Sequence, residues 1–324
     1  MTTTSTLEHT VTDDAVTVRG LFKYYPHPDG GTFAAVDGID IAAHRGEVLG
    51  ILGPNGAGKT TTLEIIEGLT AADGGSVSVL GLDPFVEPNE VQKRIGIQLQ
   101  SSAYFEFLRL EELLNLFGDL YPKRLDPVGL LARVGLEDKR KALVGELSGG
   151  QAQRFAIVAA LVNDPDVVFL DEPTTGLDPQ ARRNLWDVID GLSEEGRTVI
   201  LTTHYMEEAE TLADRVAVID HGRIVDLDTP TSLIDRHGSE TNVRFVTDRP
   251  TSTADLERLP GVRSAANGPA GHTSHTLDVS ATDVAVPALF NWAAQASVSI
   301  TDLTIHRPTL EDVFLNITGR RLRD

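Results

Sequence analysis

Cysteine is absent from all 324 residues. That excludes disulfides, thiolate zinc sites and cysteine nucleophiles at once, and it is compatible with a reducing compartment. Basic residues are scarce too: 28 Lys+Arg stand against 48 Asp+Glu, a formal charge of −20. A protein that grips phosphate backbones shows a basic footprint, so no nucleic-acid partner is expected. The acidic balance reads as a solvated surface. No run approaches the ~18–20 apolar residues of a membrane span. The opening "MTTTSTLEHTVTDD" lacks the basic and apolar segments of a secretion signal and reads as a disordered tail over 1–14. A membrane is expected to enter only through a partner.

Hydrophobic residues make up 41% of the chain, enough for a sizeable core, and the length suits one large domain plus a smaller one. Through the first 225 residues, short apolar runs recur: "EVLGIL", "DVVFL", "TVILTT" and "RVAVID". They are continuous and rich in β-branched residues, as strands buried on both faces of a parallel sheet are. Helical segments such as "TTLEIIEGL" and "PQARRNLWDVIDGLSEEG" alternate with them, which predicts an α/β core. "AVTVRGLFKYY", "AAVDGIDIAAHRG" and "GGSVSVLGLD" alternate with period two and predict an antiparallel β layer. Leu108 to Lys141 has helical periodicity and reads as an insertion, placed at about 101–150. Beyond about Asp235 the pattern shifts to β-α-β-α-β-α units with glycine- and serine-rich loops such as "NGPAGHTS". The predicted domains are a core over 15–237 and a small α+β domain over 238–324.

Chemistry concentrates in three strings. "GPNGAGKT" follows an apolar strand and precedes a helix, the context of a phosphate-binding loop. Glycines there let backbone N–H groups approach phosphate, and the helix N-terminus adds its positive dipole. The expected nucleotide contacts run through Gly53, Pro54, Asn55, Gly56, Ala57, Gly58, Lys59, Thr60 and Thr61. Lys59 would reach the β/γ-phosphates, and the Thr60 hydroxyl would face Mg²⁺. "VVFLDE" is a strand ending in two carboxylates: Asp171 suits Mg²⁺, and Glu172 suits the polarisation of an attacking water. His204 ends "TVILTTH", at the sheet edge where open α/β sheets hold ligands, and is expected to contact the γ-phosphate.

The order of phosphate loop, helical insertion, "LSGGQ", "VVFLDE", "TTGLD" and terminal histidine resembles the ATP-binding cassette (ABC) ATPases, over roughly Val16 to Leu233. The resemblance implies a P-loop NTPase core with a mostly parallel sheet, using ATP and Mg²⁺, with Lys59, Glu172 and His204 catalytic. Position by position, Tyr25 matches the adenine-stacking aromatic, with Tyr24 as the alternative. Gln100 matches the glutamine that senses Mg²⁺, Ser148, Gly149, Gly150 and Gln151 match the signature, and Asp178 matches the loop joining two sites. Leu99 stands where the family usually has proline, so the choice of Gln100 over Gln98 rests on spacing. The family pairs two cassettes head to tail, the signature of one covering the ATP of the other. One loop and one signature per chain therefore imply a second cassette, as a homodimer, and a separate transmembrane permease that holds the chain at the cytoplasmic face of the membrane.

The ending "PTLEDVFL…TG" resembles bacterial drug-resistance exporters of the daunorubicin type. It points to an ATP-hydrolysing subunit exporting drugs, lipids or other hydrophobic compounds. A soluble non-transport ABC ATPase and a non-catalytic ATP switch are the competing readings. Leu310, Val313, Phe314 and Ile317 fall on one helical face and predict a docking helix, while His272 and His275 are expected in a loop.

Overall fold

The computed structural model describes residues 14–27, 29–100, 104–238, 241–268 and 271–319. The tail expected over 1–14 lies outside the described residues except for Asp14, which opens the first strand, and the arginines after Gly319 lie outside them too. The chain divides into two compact units, the first ending at Pro230 and the second opening at Thr231. The helix Pro230–His237 falls almost wholly in the second unit, so the expected cut after 237 lies at that helix's C-terminal end.

In the first unit, a six-stranded sheet runs in the order Ile95–Gln98, Val167–Asp171, Thr198–Thr203, Val48–Leu52, Arg215–Asp220 and Arg223–Asp228. The first five strands are parallel and the last is antiparallel. Val48–Leu52, Val167–Asp171 and Thr198–Thr203 are buried at every position, as strands covered on both faces must be. In register, Leu52 stands opposite Thr203, and Asp171 opposite Thr202. The phosphate loop, Glu172 and His204 therefore leave the sheet at one edge. This packing sets up the site.

A second, three-stranded antiparallel sheet in the order Thr32–His44, Asp14–Pro26, Gly74–Val79 forms the predicted β layer. The helical insertion contains Leu110–Gly118 and Pro127–Arg133, with two short 3-10 turns after them. Asp126 starts the second of these helices by accepting the Gly129 N–H, and Pro127 supplies a preset φ at its first position. Leu110, Leu113, Leu114, Leu130 and Leu131 bury one face of the pair against Phe155 and Ile157.

The second unit runs strand Thr241–Thr247, helix Thr253–Leu256, strands Val262–Gly268 and Gly271–Val279, helix Thr282–Ala296, strand Ile300–His306 and helix Leu310–Thr318. Its sheet order is Val262–Gly268, Gly271–Val279, Thr241–Thr247, Ile300–His306, antiparallel throughout, a split β-α-β arrangement. Two expectations are corrected. Val262–Gly268 is an additional strand that the β-α-β-α-β-α pattern lacks. The "HTSH" stretch is not a loop: it lies in Gly271–Val279, where the Val243, Phe245, Leu277 core and a Thr251 hydroxyl 2.7 Å from Nε2 surround a buried His275. Leu310, Val313 and Phe314 are buried as the helical spacing predicts, and Ile317 is half-buried.

Candidate nucleotide site

Between strand Val48–Leu52 and helix Lys59–Ile66 the chain must turn sharply against the sheet. Only glycine fits at two of its positions. A Cβ on Gly53 would stand 2.4 Å from the Ile219 carbonyl oxygen, and one on Gly58, where φ is +100°, would stand 2.1 Å from that of Ala35. The loop, Tyr25 and Phe33 of the antiparallel layer, Ala35, Gln100 and Glu172 enclose a cavity of about 390 Å³, lined also by Asn55, Gly56, Lys59, Thr60 and Thr61. Of the remaining loop residues, Gly53 and Pro54 turn their carbonyls to Lys59, and Ala57 is buried.

Strand alternation separates the two tyrosines. Tyr25 lines the cavity, its ring 6.0 Å from that of Phe33, which pairs with it across the hairpin. Tyr24 turns away and stacks on Phe22. The two glutamines part as well, because the strand ends at Gln98 and Gln100 lies beyond it. Gln98 is buried, donating to the Leu99 carbonyl at 2.6 Å, while Gln100 lines the cavity and donates to Glu172 Oε2 at 3.2 Å.

Lys59 is buried; its ammonium donates to the carbonyls of Gly53 at 2.9 Å and Pro54 at 3.2 Å and lies 3.6 Å from Glu172 Oε1. Burial lowers its pKa, against the opposing pull of Glu172. The Thr60 hydroxyl donates to Asp171 at 3.1 Å, and the Thr202 hydroxyl donates to the same carboxylate from the neighbouring strand. Burial pushes Asp171 up, and those two hydroxyls oppose it. Glu172 has φ +48°, a left-handed conformation costing a non-glycine residue on the order of 1–3 kcal/mol. Its N–H is held by the Thr202 hydroxyl at 3.0 Å. Around its Oε2 stand Gln100, the Thr175 hydroxyl at 3.1 Å and His204 Nδ1 at 3.3 Å. Burial works to raise this carboxyl, but Lys59 and His204 outweigh it and hold it below the usual carboxylate range.

Residues 36–175 match the ABC transporter family. The chain is 40% identical over 317 residues to the daunorubicin resistance ATP-binding protein DrrA2 of Streptomyces coeruleorubidus, covering 95% of this chain and 96% of that protein. The chain belongs to the ABC transporter family. Similar too are the Nod factor export ATP-binding protein I of Burkholderia lata, 37% identical over 91% of this chain and 95% of that one, and a solved structure titled as the dimeric post-hydrolysis state of the ATP-binding cassette MJ0796 bound to ADP and Pi. The latter has TM-score 0.59 and 26% identity, and covers 66% of this chain and 98% of that chain. This chain is accordingly an ABC cassette that binds and hydrolyses ATP.

The cassette does not bring all its motif residues to one place. Ser148 opens helix Gly149–Ala159, its N–H bonded to Gln151 Oε1 at 3.1 Å, and none of Ser148, Gly149, Gly150 and Gln151 lines the cavity. Ser148 and Gly149 are exposed, and a Cβ on Gly149 would meet nothing within 4 Å. Asp178 is exposed as well and caps helix Pro179–Glu194, accepting from Gln180 N at 3.0 Å and Ala181 N at 2.9 Å. Sequence reasoning missed Phe33, Thr175, Thr202 and Glu67. Glu67 is buried near Asp171, with one carboxylate oxygen unpartnered, and burial pushes it up to about 8. Only Phe33 carried a signal: an aromatic facing another across a hairpin.

Proposed function

We propose that this cassette drives an exporter of drugs, lipids or other hydrophobic compounds, with Glu172 as general base and Lys59 and His204 on the γ-phosphate. The observation that carries the catalytic reading is the carboxylate of Glu172. It sits at the cavity among Lys59, Gln100 and His204, in a conformation the neighbouring strand has to enforce. Export rests on relatives named for daunorubicin and linearmycin resistance, Nod factor export and fluoroquinolone export.

Thr60, Asp171 and Gln100 would hold Mg²⁺. The donor set fits: it is all oxygen, a carboxylate, a hydroxyl and an amide carbonyl, in a recess that leaves room for waters and phosphate oxygens. When bound, the ion neutralises charge on the phosphates. The chain's own part is to fix the triphosphate on the loop and helix N-terminus, to stack adenine on Tyr25, and to take the water's proton at Glu172.

The exposed signature, which lines no part of the cavity, supports a dimer in which Ser148 of each chain meets the ATP of the other. The MJ0796 cassette, titled as dimeric, favours the same reading. No helix among the described residues is long and apolar enough to cross a membrane. We take the permease to be a separate chain, as the family resemblance implies. An apolar groove of about 410 Å³ beside Gln100, lined by Ile95, Ile97, Leu99, Tyr104, Phe117 and Leu120, suits a short helix of that permease on the membrane's cytoplasmic side.

Glu172→Gln tests the base. It keeps shape and hydrogen bonds but removes the basic oxygen, so turnover should fall by about 10²-fold or more. ATP affinity holds and ATP-bound dimer accumulates. Near-normal phosphate release would overturn the assignment.

A further inference from the structure

Below the cavity lies a carboxylate for which the reading above has no use. Glu208, in the first turn of helix Met206–Leu212, is wholly buried. Its Oε1 accepts the Trp186 indole N–H at 3.1 Å. The hydroxyls of Thr203 and Thr174 face the same carboxylate and, with that N–H, oppose the upward push of burial on it. Those three partners come from three segments. Thr203 immediately precedes His204, and Thr174 lies two residues after Glu172. Trp186 belongs to helix Pro179–Glu194, whose cap is Asp178.

A second contact joins the same parts. The Arg182 guanidinium lies over the Tyr205 ring at 4.1 Å from its centroid, and that ring lies 4.1 Å from the ring of His204. Arg182 is on the Trp186 helix and attracts Glu208. A buried carboxylate is costly unless it is hydrogen-bonded. This one is only partly satisfied: Glu208 Oε2 and Thr174 Oγ1 are both buried without a well-formed bond. A small shift of the loop would pair them. Such a link is made or loosened by a slight movement of the loop that carries Glu172.

We propose that Glu208 is a positioning residue for ATP hydrolysis: bonded to Trp186 and facing Thr174 and Thr203, it sets Glu172 and His204 against each other and ties both to the helix capped by Asp178. Glu208 lines neither the nucleotide cavity nor the recess beside it, so it acts on turnover and not on affinity. The inference rests on Glu172 and His204 being the catalytic pair.

Hydrolysis and ATP binding are measured on the full-length chain carrying Glu208→Leu, Glu208→Gln or Trp186→Phe. Misplacing catalytic groups by about 1 Å costs up to about 10²-fold, so kcat of Glu208→Leu falls by about 10- to 100-fold, with ATP affinity within about 3-fold. Glu208→Gln keeps an acceptor for the indole and recovers most of the rate. Trp186→Phe keeps the packing, drops the donor and lowers kcat several-fold, which decides the matter should Glu208→Leu fail to fold. A merely structural Glu208 would lower the melting temperature while leaving kcat per folded molecule unchanged; that result overturns the proposal.

Trp186 gives an independent readout. Trp292 is the only other tryptophan, and in Trp292→Phe protein the emission of Trp186 should change when Mg-ATP is added. Glu208→Leu should abolish that change although ATP still binds. A response that persists in Glu208→Leu refutes the link. Glu172→Gln is run beside these variants. Normal hydrolysis by Glu172→Gln would remove the base assignment alone, while the Trp186 response still judges Glu208.

Discussion

Mixing two crippled chains decides whether the site is shared. Lys59→Ala removes the buried ammonium from the phosphate cavity. Ser148→Arg places bulk at an exposed helix start beside Gly149, which has open space around it, so the fold is spared. Each homodimer then has two dead sites. In a mixed dimer with shared sites, one site collects both lesions, and the other joins an intact loop to an intact signature. Such a dimer therefore occludes about one nucleotide where the wild type occludes about two. Random 1:1 pairing makes about half the dimers mixed, so the mixture regains about a quarter of wild-type occlusion. The assay is labelled ATP retained through rapid gel filtration, with Glu172→Gln in every chain to prevent turnover. If each site lay within one chain, every site would keep a lesion. A purified mixed dimer that is folded and paired yet occludes no ATP refutes the shared-site reasoning.

Tyr25→Ala should weaken ATP and GTP binding alike, by about 1–3 kcal/mol, because stacking tolerates any ring; Tyr25→Phe should be nearly neutral. Equilibrium dialysis with both nucleotides checks this, and a loss confined to ATP would point to hydrogen-bond readout. Glu67 sets a pH dependence in the nucleotide-free protein. Its folded carboxyl keeps a proton up to about 8, whereas the unfolded one releases it near 4.5, so stability declines as pH rises through that window. Glu67→Gln should remove this slope and be more stable at pH 8 by on the order of a few kcal/mol. Parallel denaturation curves for the two proteins across that window would refute the buried proton. Leu120→Glu charges an exposed wall of the apolar groove and should release the chain from the membrane partner while leaving its own ATPase intact; unchanged co-purification would exclude the groove as the dock.

The parallel sheet was legible because strands buried on both faces carry runs of adjacent apolar residues, as Val167 to Leu170 and Val199 to Leu201 do. The phosphate loop was legible because close backbone approach demands glycine at fixed spacing. Val262–Gly268 was not: "VRSAANG" is half-exposed along its length and carries little apolar signal. "HTSH" looked like a loop because glycines stand just before it, yet its histidines already belong to strand Gly271–Val279. Within the site, what sequence order could not show was convergence. Thr202 reaches Asp171 only because their strands are neighbours, and Glu67 nears it only through the turn of helix Lys59–Ile66. Glu208 meets Trp186 across 22 residues. None of these carries a local pattern.

Lys59 and Glu172 partner each other at the cavity, and that pairing bears on how the site would take a triphosphate. Lys59 caps the carbonyls of its own loop and faces Glu172 at 3.6 Å. The same contact depresses the Glu172 carboxyl and with it the basicity a general base needs. An arriving triphosphate competes for Lys59 with weaker, uncharged carbonyls and one carboxylate. On the proposed reading, an ammonium drawn to phosphate would leave Glu172 without the cation that most lowers its pKa, and the carboxylate would be the stronger base. On that reading, binding and activation would be one exchange of partners. Removing the carboxylate removes a competitor for Lys59, which is the physical reason Glu172→Gln should hold ATP at least as tightly as the wild type while failing to turn it over.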